Sequence, residues 1–179
     1  MFLPMFIILA VLLMIACWQD CHEYRIKNNL IITGTVFGIV LNTFLFAETG
    51  FLDSLIGLGF GLILLLPFYL LRIMGAGDVK LLAMIGAFVG QNDILWVFLY
   101  TLVAGGLLAL IFSLWRGALR RMIDNVILTC LLVLSDSKSE WFKGNSSFSV
   151  EAPQSAGKLP YAIAITTGTG FFLALKQFQ

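Results

Sequence analysis

No Asp, Glu, Lys or Arg interrupts residues 2–18, and the same holds for residues 30–47, 55–71, 94–115 and 159–175. Each run is close to the roughly 20 residues a helix needs to cross a bilayer. In hydrocarbon every backbone N–H and C=O must find a partner within the protein, so only helices or closed barrels can span it. These runs are continuously apolar and do not alternate, which points to helices. Of the 179 residues, 60% are hydrophobic and only 12% charged, with a mean hydropathy of +0.98, too apolar for a soluble domain. The sequence therefore predicts an all-α polytopic membrane protein. Residues 1–179 are expected to form a single membrane-embedded domain.

A shorter apolar stretch, residues 79–89, lies before Gln91-Asn92-Asp93 and is expected to form a further helix that reaches back into the glycines preceding it. That gives about six spans. The first could be mistaken for a signal peptide, but no Lys or Arg precedes it, and it is taken as a transmembrane helix. Between residues 47 and 54 a short acidic turn is expected, at positions 48–53. Residues 116–158 form the longest polar region, interrupted by an apolar stretch at 126–134 that is too short to span comfortably. It is read as a large connector before the last helix, and its composition suits a loose connector better than a substrate-docking element.

Charge sets the expected orientation. With the N-terminus outside, the inner connectors carry Arg25, Lys27, Arg72, Lys80, Arg116, Arg120, Arg121, Lys138, Lys143 and Lys158, leaving only Lys176 outside. The outer turns hold Glu48, Asp53 and Asp93, while Trp18, Trp96 and Trp115 fall at segment ends. No basic face offers itself to nucleic acid. The three cysteines, Cys17, Cys21 and Cys130, form no CxxC pair, and His22 is the only histidine. No metal site and no cofactor is therefore expected.

Against this background, Gly75-Ala76-Gly77-Asp78-Val79-Lys80 is the exception: a glycine-flanked aspartate between two apolar runs. An ionisable residue in such a place is costly and marks a candidate functional site. The predicted orientation puts Asp78 on the inner side, at a depth similar to that of Asp20 at the end of the first helix. Two carboxyls brought together can share a proton and act as acid and base, activating water for attack on a peptide carbonyl without metal or histidine. Gly75 and Gly77 would let an extended substrate approach closely.

Other roles exist for the same residues. Asp20, followed by a polar connector, also suits a solvated helix cap, and Lys80 suits a snorkelling interfacial lysine. Lys80 could instead tune the pair or meet the substrate, and Glu23 is a candidate contact for a basic peptide. The pairs Gly34/Gly38, Gly57/Gly61 and Gly86/Gly90 have the spacing of close helix packing.

Gly75-Ala76-Gly77-Asp78-Val79-Lys80-Leu81-Leu82-Ala83, followed by Gly86-Ala87 and Gly90, resembles the GxGD region of type IV prepilin peptidases, which are intramembrane aspartic endopeptidases. Asp20 with Arg25-Ile26-Lys27-Asn28-Asn29-Leu30 resembles their other aspartate motif, except that Lys27 stands where the family usually has proline. Leu159-Pro160-Tyr161-Ala162-Ile163-Ala164 resembles their last-helix motif. The resemblance implies catalysis by Asp20 and Asp78. It also implies removal of a short basic leader from prepilin-like proteins, at the cytoplasmic side of the prokaryotic inner membrane, while the substrate's hydrophobic helix sits among the lipids. The insertion of larger members, with its paired cysteines, is lacking here. The chain looks more like the small peptidase-only forms that serve tight-adherence (Flp) pili, so neither methyltransferase activity nor zinc is expected. From the residues alone, a proton- or cation-coupled transporter subunit and a non-catalytic pilus or secretion assembly factor stay open as alternatives.

Overall fold

The computed structural model describes residues 3–23, 25–71, 74–115 and 161–177. All of the regular structure in them is helical: α1 (Leu3–Glu23), α2 (Asn28–Leu70), α3 (Ala76–Val89), α4 (Gln91–Trp115) and α5 (Ala162–Gln177). The connector at 116–158, with its apolar stretch and Cys130, lies outside the described residues, as do Arg72, Leu159 and Pro160. By packing, the chain divides into two units: Met1–Gly106 with Pro160–Gln179, and Leu107–Leu159. The first unit holds both aspartates.

Among the described residues, four segments are long and apolar enough to cross a membrane: Met5–Glu23, Asn28–Ala47, Thr49–Leu70 and Gln91–Phe112. This is a polytopic, all-helical membrane protein. α3 and α5 are shorter, at 14 and 16 residues. Large side chains such as Phe44, Ile63 and Leu114 are exposed, as expected of a lipid-facing surface.

The acidic turn expected at 48–53 is helical in the structure. The reversal is made instead at Ala47, whose φ of 54° and ψ of −136° interrupt α2. Direction can be read from glycine contacts. In the first half of α2, Gly34 lies against Met84 and Gly38 against Phe88, so this half runs parallel to α3. In the second half, Gly57 meets the backbone of Gly86 and Gly90, and Gly61 meets Leu82 and Ala83, so that half runs antiparallel. A Cβ on Gly61 would stand 2.6 Å from the Leu82 carbonyl oxygen. The glycine spacings thus serve helix packing, the small residues letting backbones approach as they do in lipid.

The far end of α3 is closed by polar groups from α2. A helix leaves its last carbonyls without internal partners. Here Asn42 Nδ2 donates to the carbonyls of Ala87 and Phe88, both at 3.0 Å, and Ser54 Oγ donates to Ala87 at 2.9 Å. Gly90, with φ of 81°, breaks the helix, and the next residue begins α4. Asp53 Oδ1 accepts from the Gln91 amide at 2.9 Å, satisfying an orphan donor of α4. The buried core runs through Leu9, Leu13, Leu65, Leu82, Ile85, Phe88, Val97 and Ile165, drawn from all five helices.

Candidate active site

At the opposite end of α3 its N-terminus opens into a pocket of about 430 Å³ lined by Asp20, Arg25, Ile26, Asn28, Gly75, Ala76, Gly77, Asp78 and Lys80. Two helices supply the carboxyls. Asp20 sits in the last turn of α1 and Asp78 in the first turn of α3, so residues 58 positions apart meet because α1 and α3 run in opposite directions.

Asp20 is 8% exposed. Its Oδ2 accepts a hydrogen bond from the backbone amide of Ala162, the first residue of α5, at 3.1 Å. A buried carboxylate needs such a partner, and the amide is one of the donors a helix N-terminus leaves unpaired.

Asp78 is half-buried, and its own amide donates to the Gly75 carbonyl at 3.2 Å. It lies outside the four long apolar segments. Burial pushes its carboxyl from 3.8 up to about 6, the Asp20 charge adds to the rise, and the backbone at Gly75 partly opposes it. One carboxyl of the pair thus holds its proton more readily than an ordinary aspartate. A proton-holding carboxyl beside a second carboxyl can protonate a carbonyl oxygen while its neighbour takes a proton from water.

Gly75 and Gly77 differ from the packing glycines. Gly75 has an ordinary extended backbone, φ −77° and ψ 151°. A Cβ there would meet the Asp78 carboxylate at 3.5 Å, and one on Gly77 would meet Ile26 at 3.6 Å, both ordinary contacts. Neither backbone strain nor crowding demands glycine at these two positions. What a methyl group would occupy is pocket space.

Lys80 Nζ donates to Asn28 Oδ1 at 3.0 Å on the exposed rim, tying α3 to the start of α2. Glu23 is not part of the lining. It forms an exposed ion pair with Lys27 at 3.0 Å. Lys27 caps α2 with φ −68° and ψ 131°, and its amide donates to Gln19 Oε1 at 3.0 Å. Sequence reasoning did not single out Arg25, Asn28 or Ala162 as site residues. All three fall within the motif stretches 25–30 and 159–164, and that membership was the available signal.

The model of the type IV leader peptidase family matches residues 7–110. The match takes in both aspartates, all of α2 and α3, and most of α1 and α4. Comparison with curated proteins and with solved structures gives no match. The family match covers more than half of the chain and includes the pocket, and on that ground this protein belongs to the type IV leader peptidase family.

Proposed function

We propose that the protein is an intramembrane aspartic endopeptidase that removes the basic leader from prepilin-like proteins, with Asp20 and Asp78 as its catalytic pair. The observation that carries this reading is that the two carboxyls, from different helices, line one open pocket.

In the reaction, water lies between the carboxyls. Asp20 accepts a proton as the water oxygen bonds to the scissile carbonyl carbon, and Asp78, whose carboxyl holds its proton more readily, donates that proton to the carbonyl oxygen. In the tetrahedral intermediate the C–N bond then breaks, its electron pair stays on nitrogen, and the proton gained by Asp20 passes to the leaving amine. The collapsing hydroxyl returns its proton to Asp78. One water is consumed, and no metal or cofactor enters the balance.

Gly75 and Gly77 keep the pocket floor free of side chains for an extended backbone. Lys80, held by Asn28, and Arg25 supply positive charge at the rim. Glu23, paired with Lys27 beyond the lining, would meet the basic leader before it enters. The excess of Lys and Arg in connectors on this side supports a pocket facing the cytoplasm from the inner membrane.

The test is the N-terminus of a co-expressed prepilin, read by mass spectrometry. Asp20→Asn and Asp78→Asn should each leave the leader attached while the enzyme accumulates normally. Full processing by either variant sinks the assignment.

A further inference from the structure

Tyr161 and Ala162, where α5 begins, line no part of the pocket, yet the Ala162 amide reaches one carboxyl of the pair. Ala162 is fully buried, and its amide donates to Asp20 Oδ2 at 3.1 Å across 142 residues of sequence. Tyr161 caps the helix, its carbonyl accepting from the Ile165 amide at 3.2 Å. Its ring packs against the core, and its hydroxyl lies over Gly105 of α4, where a Cβ would stand only 2.6 Å from it.

We infer that the start of α5 is a positioning element for the aspartate pair, the Ala162 amide fixing where the Asp20 carboxylate stands. The inference rests on the reading of that pair as hydrolytic. Ala162 is a positioning residue, since it acts on the reaction through the Asp20 carboxyl. An attacking water must be held within a fraction of an ångström of its productive place, and a displacement of about 1 Å can cost ~100-fold in rate. Among the described residues, the hydrogen bond to the Asp20 carboxylate comes from α5, so the start of this helix sets where that carboxylate stands.

A plainer role for the same bond is to cap α5, and the experiment separates the two. Proline is well accommodated at the first helical position, where its missing N–H is not needed by the helix. Ala162→Pro therefore deletes the donor to Asp20 and keeps the helix start, whereas Ala162→Gly keeps the donor and deletes only the methyl group. Purified wild type and variants are assayed in detergent on a full-length prepilin, with kcat and KM determined separately. Ala162→Pro should lower kcat by ~10-fold or more with KM within about twofold, and Ala162→Gly should stay within about threefold of wild type in both.

An unchanged kcat in Ala162→Pro overturns the inference, as does a rise in KM alone or an equal loss in Ala162→Gly. If Ala162→Pro does not accumulate, a backbone ester at this position (lactic acid in place of Ala162) decides, since it removes the N–H and keeps the methyl group. A kcat lowered severalfold at unchanged KM supports the positioning role, and a wild-type kcat overturns it. Asp20→Asn and Asp78→Asn run alongside. If they are inactive while Ala162→Pro is normal, only the role of α5 fails; if they cleave, the hydrolytic pair fails first.

Discussion

Asn42, buried in the first half of α2, donates its side-chain amide to the Ala87 carbonyl at the end of α3 at 3.0 Å. Ser54 of the second half donates to the same oxygen, while the Phe88 carbonyl is served by Asn42 alone among these donors. Losing Asn42 therefore orphans a buried acceptor, and losing Ser54 does not. Asn42→Ala should destabilise the protein by about 1–3 kcal/mol and Ser54→Ala by clearly less. Unfolding in mixed micelles measures both, and equal costs would contradict the shared acceptor.

The glycines divide into two groups with opposite expected outcomes. At Gly57 and Gly86 a Cβ would run into backbone of the facing helix, which cannot give way. Alanine at either should lower the Tm sharply. Alanine at Gly75 meets only an ordinary contact with the Asp78 carboxylate, so Gly75→Ala should melt like wild type yet process prepilin at least ~10-fold more slowly, because the methyl group occupies the space an extended substrate would use.

Stability should follow pH through Asp78. Its folded value, about 6, lies above the unfolded value near 3.8. The folded state then holds the proton more tightly, so its contribution is fully present below pH 4, is lost as pH rises to about 6, and changes no further above that. Wild type should thus lose Tm relative to Asp78→Asn between pH 4 and 6. Asp20→Asn should shrink that loss by removing the second cause of the rise. The experiment reads the proximity of the two carboxyls without any substrate, and an unchanged loss in Asp20→Asn would argue against it.

Lys27 offers a test at the position where proline is usual in the family. Its φ of −68° already suits proline. The substitution would stiffen the unfolded chain, worth about 0.4–1 kcal/mol, and delete the amide bond to Gln19, worth about 0.5–1.5 kcal/mol. Lys27→Pro should accordingly change stability by less than about 1 kcal/mol with processing intact. In that background Gln19→Ala should cost little more.

Helices were legible because uncharged apolar runs admit no other fold in lipid, and the glycine spacings marked close helix packing without saying that α2 and α3 would be the partners. Hydropathy puts the reversal within α2 at the acidic residues 48–53, because it reports where charge lies and not where the backbone turns. Ala47 carries no turn signal, and Asp53 caps α4 while remaining helical itself. Asp20 and Asp78 could be placed at one depth by charge asymmetry. The bond from Ala162 to Asp20 could not, since it depends on how α5 docks. Glu23 looked suited to the site by charge and proximity in sequence; in the structure it ends α1 and pairs with Lys27, the cap of α2, beyond the pocket lining.

The two carboxyls belong to different packing partnerships. Among the described helices, Asp78 rides on α3, whose most extensive contacts are with α2, and Asp20 rides on α1, whose most extensive contacts are with α5. Their separation is thus a property of the seam between two helix pairs and of no single helix. Side chains along that seam, such as Leu12 against Gly34, become determinants of rate although they lie away from the pocket. A detergent that loosens the seam should silence the enzyme while its helical circular dichroism is still unchanged.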